Sequence, residues 1–382
     1  MKKTFVVILL LLSLNIFAQQ NQMPVTGNNE QIPGLQSIPE GLEWEIVNGR
    51  SVTITEYTGN AGAVIIPEQI HGLPVTVIGT EAFMNSNSLT SITIPSSVIY
   101  IGDGAFFGCW NLTSVVIPSS VTFIGDEAFS NCTGLTNITI PSSVTFIGDW
   151  VFDGCISLTS IVLPSSITDI GEGVFADCSS LTSIVIPSSV TSIGDWAFAF
   201  CSSLTSIVLP SSVTSIGDWA FAGCISLTNI VIPSSVTSIG DGAFSNCWDL
   251  ANIVIPSSVT IIGYEAFADC SSLINITIDS LNPAYASIDG VLFDKNIRSI
   301  ITYPSGRVGS YTIPSSVTTI RNDAFSNCIG LTNVIIPSSV TFIGERAFSG
   351  CSSLTSVAIP SSVTSIRPSA FDPNVSLTLY TP

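Results

Sequence analysis

The segment Leu204-Thr205-Ser206-Ile207-Val208-Leu209-Pro210 sets Ile207 and Leu209 on one face and Ser206 and Val208 on the other. That period of two predicts a short strand, and Pro210, which lacks an N–H, ends its ladder. Val213 and Ile216 then turn inward again. The following stretch "GDWAFAGC", Gly217 to Cys224, reads as a short helical turn that Asp218 caps.

The pattern repeats. Pro95, Pro118, Pro141, Pro164, Pro187, Pro210, Pro233 and Pro256 lie 23 apart, and the series resumes at Pro314, Pro337 and Pro360. Phe83 to Phe267 keep the same interval, followed after 58 residues by Phe325, Phe348 and Phe371. About twelve copies of one unit result, with consensus "LTSIVIPSSVTSIGDWAFAGCIS". A fixed period of 20–29 residues with Leu and Ile at set positions is the mark of a leucine-rich repeat solenoid. One unit cannot bury its own apolar face, so neighbouring coils stack into a shared core. The expected fold is α/β: short parallel strands, one per coil, rising about 4.8 Å per rung over roughly 55 Å.

Two segments break the period. Leu42, Trp44 and Ile46 alternate with Glu43 and Glu45, and Asn48-Gly49 leads into Ser51-Val52-Thr53-Ile54-Thr55. Asn-Gly between alternating runs signals a hairpin, expected here over 41–60 as an N-terminal cap. Residues 280–311, with "YASIDGVLFDKNIRSIITYPSG", read as an inserted hairpin carrying Lys295, Arg298 and Arg307. Repeats then fill 61–279 and 312–382. Met1 to Ala18, with Lys2-Lys3 before an apolar run from Phe5 to Leu12, reads as a secretory signal peptide; residues 19–40 read as a flexible segment. The apolar run breaks at Ser13 and Asn15, short of a membrane span. A secreted or cell-surface location follows.

Of 382 residues, 46% are hydrophobic and 9% charged, which suits a large core and excludes a disordered chain. The net charge is −18, and Arg50 is the one basic residue between Thr4 and Asp294. Binding to nucleic acid or anionic lipid needs clustered cations, so both are excluded. The ten Cys, Cys109 to Cys351, all stand three after a Phe. Parallel side chains one coil apart are too distant for disulfides, so a buried thiol column is expected.

Asp103, Asp126, Asp149, Glu172, Asp195, Asp218 and Asp241 recur one per coil, before Tyr264, Asn322 and Glu345. The column reads either as caps of the turns that follow or as a calcium-binding ladder. No metal or cofactor site is assigned. Trp150, Trp196 and Trp219 share one repeat position, and Trp110 and Trp248 another, as interface anchors or as packing between coils. Asp289, Asp294, Lys295 and Arg298 cluster in the insert without a matching nucleophile and base, and His71 stands alone. No catalytic residue is assigned, and the chain is not expected to be an enzyme.

The unit "IPSSVTSIGDWAFAFCSSLTSI", the stretch "VIIPEQIHGLPVTVIGTEAF" and the insert "SIDGVLF...YPSG...YTIP" closely resemble the BspA-like, Treponema-type leucine-rich repeat family over residues 41–382. The resemblance implies a bacterial surface or secreted protein that binds host matrix proteins or other bacteria. The expected partners are therefore proteins, with no membrane insertion. The candidate contact residues are the outward ones of the strand face: Thr205, Ser206 and Val208, with Thr228, Asn229 and Val231. A passive spacer is the competing role.

Overall fold

The computed structural model describes residues 37–380. The signal segment expected at 1–18 and residues 19–36 of the expected flexible segment lie outside the described residues. The chain divides into two units, one ending at Val151 and one beginning at Phe152.

The first unit opens with an antiparallel hairpin, Leu42–Val47 against Ser51–Tyr57, whose turn places Asn48 and Gly49 at positive φ. The Arg50 N–H closes the turn on the Val47 carbonyl at 3.1 Å, and its two central residues lie in the left-handed region, which Asn and Gly reach at least cost. Val52 and Ile54 are fully buried, whereas Ile46 faces solvent. Ser51–Tyr57 then pairs parallel with Leu73–Ile78. The stretch around His71 is a second small hairpin: Gln69–Ile70 pairs antiparallel with Leu73–Ile78 through His71 and Gly72, both at positive φ.

Most coils carry two short strands, where the alternation predicts one, and at Ile170 and Val185 single bridges stand in for a strand. In the first unit Ala63–Ile65, Ser91–Thr93 and Ser114–Val116 form one parallel ladder. Leu73–Ile78, Tyr100–Ile101, Phe123–Ile124 and Phe146–Ile147 form the other. The second unit repeats the scheme. Ser206–Val208 pairs with Asn229–Val231, and Asn252–Ile255 with Asn275–Ile278. Ser192–Ile193, Ser215–Ile216, Ser238–Ile239 and Ile261–Ile262 make the second ladder. Between the two strands Pro210 closes a tight turn, its carbonyl accepting the Val213 N–H at 3.0 Å.

The helical half of the α/β expectation is corrected: among the described residues no helix occurs. In Gly217–Cys224, Trp219 (φ 55°) and Gly223 (φ 70°) are left-handed, and a helix needs consecutive right-handed residues. The backbone turns its N–H groups two ways instead. Those of Trp219, Phe221 and Gly223 donate to Asp241, Ala243 and Ser245 in the next coil at 2.7–2.8 Å. Those of Ala222 and Cys224 donate three residues back. Stacking thus satisfies donors that a lone helical turn would leave open.

The core is a set of columns. Phe198 is fully buried, its ring 5.4 Å from both Phe175 and Phe221. In the first unit Phe83, Phe106 and Phe129 stack in the same way. The ten Cys are buried free thiols. Cys201 and Cys224, like Cys109 and Cys351, donate S–H at 3.0–3.1 Å to the carbonyl of the Phe 26 residues earlier.

Residues 280–311 form a three-stranded antiparallel meander rather than a single hairpin: Tyr285–Ile288, Val291–Asp294 and Ser299–Thr302. Its last strand rejoins the coil ladder by pairing parallel with Thr319–Ile320. Gly309–Thr312 then pairs with Leu331–Ile335, and Ser356–Pro360 with Ser376–Tyr380, so Pro360 lies within a strand.

Candidate binding surface

The first strand of each coil has one residue inward between two outward. Ile207 and Ile230 are buried, and Thr205, Ser206, Val208, Thr228, Asn229 and Val231 are all exposed. Exact register, Ser206 opposite Asn229 and Val208 opposite Val231, sets like beside like across the coils. In the second unit this generates a column the candidate list only samples: Val162, Val185, Val208, Val231 and Val254, each 59–81% exposed. Isolated bridges join Val162 to Val185 and Val185 to Val208. The 23-residue interval was the signal for Val162, Val185 and Val254.

Threonine flanks the column. Thr228 Oγ1 donates to the Thr205 carbonyl at 3.2 Å, so its hydroxyl is held by the preceding coil and its methyl is left to the surface. A branched apolar column bordered by fixed hydroxyls offers contact area at little cost in side-chain freedom.

The carboxylates of the acidic column do cap, but not the turns that follow them. Asp195 Oδ1 accepts the Asp218 N–H at 2.7 Å, Asp218 Oδ1 accepts the Asp241 N–H at 2.7 Å, and Asp241 Oδ1 accepts the Tyr264 N–H at 2.6 Å. Each carboxylate therefore caps the neighbouring coil, not its own turn. The preceding Gly is required by close approach: a Cβ on Gly217 would lie 2.4 Å from Asp195 Oδ1 and 2.6 Å from the Asp195 nitrogen. Among the described residues no group of three or more His, Cys, Asp or Glu is placed to hold a metal ion.

Aromatic residues follow two rules. Trp196 and Trp219 are half-buried and stack at 5.4 Å, so they pack between coils. Trp110 and Trp248 are half-exposed. Of the charged cluster in the insert, Asp294 Oδ1 accepts the N–H groups of Arg298 and Ser299, and Lys295 Nζ reaches the Ser280 carbonyl. Arg307 donates to the Asp289 carbonyl. These residues hold turns.

Burial disfavours ionisation of several thiols. Burial pushes Cys109 and Cys270 up to about 12, and Cys178, Cys224 and Cys247 well above the ordinary thiol value. Among the described residues no helix is long and apolar enough to cross a membrane.

Two parallel ladders per 23-residue coil, a buried Phe column and inward Leu and Ile define a leucine-rich repeat solenoid. The BspA type Leucine rich repeat region matches residues 76–205, 191–307 and 295–381, and the chain belongs to that family. Among solved structures, a leucine-rich repeat protein from Bacteroides ovatus is 26% identical, with 90% of this chain and 99% of that one covered and a TM-score of 0.54. One from Eubacterium ventriosum is 24% identical, with 90% and 95% covered and a TM-score of 0.56. A leucine rich cell surface protein from Faecalibacterium prausnitzii is 28% identical, with 91% and 96% covered and a TM-score of 0.48. A search of curated proteins finds no match.

Proposed function

We propose that this chain is a secreted or surface-displayed scaffold that binds other proteins, host matrix proteins or the surfaces of other bacteria, through the strand face carrying Thr205, Ser206, Val208, Thr228, Asn229 and Val231. The observation that carries this reading is the exposed valine column. Five branched apolar side chains in line are more than the scattered apolar residues of an ordinary surface, and contiguous apolar patches mark interaction sites. Membership of the BspA-type family supports a binding role, and the outward groups of this face are contact chemistry rather than catalytic chemistry.

The uniform face predicts register-tolerant binding of modest affinity per coil, strengthened by multivalency. The acidic remainder favours basic partners at low salt.

Purified chain is titrated against immobilised matrix proteins and whole co-resident bacteria, beside Val208→Asp and Val231→Asp variants. The expected result is saturable binding that the two substitutions weaken at least tenfold. No saturable binding to any partner makes the chain a passive spacer. Amino-terminal sequencing of exported protein is expected to begin at Gln19; an intact Met1 in the exported material would overturn processing after Ala18.

A further inference from the structure

In the regular coils of the second unit, three alternate N–H groups of each turn segment point into the next coil. Gly242, Phe244 and Asn246 donate in this way to the carbonyls of Tyr264, Ala266 and Ala268, each at 2.8 Å. The pattern then stops. Among the described residues the N–H groups of Glu265, Phe267 and Asp269 donate to no acceptor.

The cause is a shortened coil. A regular coil takes five residues to pass from its second strand to the buried Phe, as from Ile216 to Phe221, but the insert takes three, from Ile300 to Tyr303. Tyr303 occupies the place of the Phe: it is buried, its ring stacks 4.8 Å from Phe325, and its N–H donates to the Ala324 carbonyl at 2.7 Å. The core column is kept and the outer turn is missing. What remains is a cleft of about 830 Å³ lined by Tyr264, Asp269, Thr302, Asn327 and Arg346 among others. On its far wall the carbonyls of Asn322 and Ser326 receive no backbone N–H, the Ser326 oxygen taking only the Cys328 S–H at 3.7 Å.

Side chains brace the two walls. Arg346 bonds Asp323 at 2.8 Å and Glu265 at 3.4 Å, Tyr264 OH meets Asp323 and Arg346, and Asn327 bonds Asp269. The brace ties the walls together although the turn that fills this space in other coils is missing. Solvent-facing N–H and C=O rows are the template on which a further chain segment pairs.

We infer that this cleft is a peptide-binding site, in which an extended segment of a partner protein completes the missing rung. The donors of Glu265, Phe267 and Asp269 are spaced two residues apart along one wall, and the acceptors of Asn322 and Ser326 lie on the other. A polypeptide backbone presents acceptors to one side and donors to the other at that spacing. A glycan does not. About five residues span the row, small at the centre because Thr302 and Tyr303 form the floor. The site is separate from the valine column.

The test uses the full chain and a phage-displayed library of random nonapeptides. Selected peptides are expected to bind saturably, to slow amide exchange over residues 264–270 at least tenfold, and to lose at least tenfold in affinity on Thr302→Trp. Val208→Asp is expected to leave that affinity unchanged, which separates this site from the strand face. Exchange is read on the unmodified chain, so a Thr302→Trp variant that fails to fold does not spoil the test. No enriched peptide, peptides that leave exchange at 264–270 unchanged, or binding that moves with Val208→Asp would each overturn the inference. So would an oligosaccharide array giving Thr302→Trp-sensitive binding where peptides give none.

Discussion

At the scale of single residues, one position in each coil decides core against surface, and the next decides how coils join. Phe198 is fully buried between two stacked neighbours. Truncation removes its transfer energy and leaves a cavity that stacked coils cannot collapse into, so Phe198→Ala is expected to lose about 3–5 kcal/mol by urea denaturation. A loss below about 0.5 kcal/mol would place Phe198 among surface positions. Asp218 supplies an acceptor, not a required charge, because Asn322 Oδ1 accepts the Glu345 N–H at 2.9 Å in the same repeat position. Asp218→Asn is therefore expected to keep the melting temperature within a degree or two, and Asp218→Ala to lower it, as for a lost cap worth about 1 kcal/mol. A calcium ladder predicts otherwise. Calcium would then raise the melting temperature by many degrees, and Asp195→Asn with Asp218→Asn would abolish the rise.

At the scale of elements, the thiol column gives the coils an alkaline limit. An unfolded thiol ionises near 9.0, and burial pushes Cys109 and Cys270 up to about 12. Below the lower value both states hold the proton and the thiols add no pH dependence. Above it the unfolded chain releases protons that the folded chain retains, so stability falls as pH rises from about 9 to 12. Denaturation between pH 7 and 11 is expected to show a plateau and then a loss, flattened in a Cys109→Ala, Cys270→Ala variant; an unchanged slope there would remove these thiols as its cause. The elements also show what a sequence can announce. Alternation in Ile207-Val208-Leu209 is enough to say which side each residue takes, and the Phe interval locates the column. The second strand escapes because Ser215-Ile216 is two residues long and its pairing lies 23 residues away. "GDWAFAGC" misleads because its composition suits a helix while inter-coil hydrogen bonds select left-handed Trp219 and Gly223. The valine column was readable from period and alternation together. The cleft was not, since it arises from two residues missing between Ile300 and Tyr303, although Tyr303 standing 22 before Phe325 was a clue that the core column continued.

At the scale of the molecule, stability is a sum of like terms. The inter-coil hydrogen bonds of the regular repeats span about one repeat, 22 residues from Trp219 to Asp241, 23 from Asp218 to Asp195 and 26 from Cys224 to Phe198. Each such coil thus depends on its neighbours, and an array of this kind gains and loses stability one repeat at a time. Deleting the 23 residues Leu204–Ser226 joins Ser203 to Leu227 and restores the same local sequence on both sides of the join. The shortened chain is expected to fold, to keep its far-ultraviolet circular dichroism per residue, and to show a urea m-value smaller by one coil's share of buried surface. Loss of the cooperative transition would mean that coils rely on more than their neighbours. The same chain tests the function, because the deletion removes Val208 and brings Val185 beside Val231. If the valine column binds as a repeating surface, partner affinity is expected to fall by a modest factor. Complete loss would instead mark the Val208 coil as a unique contact.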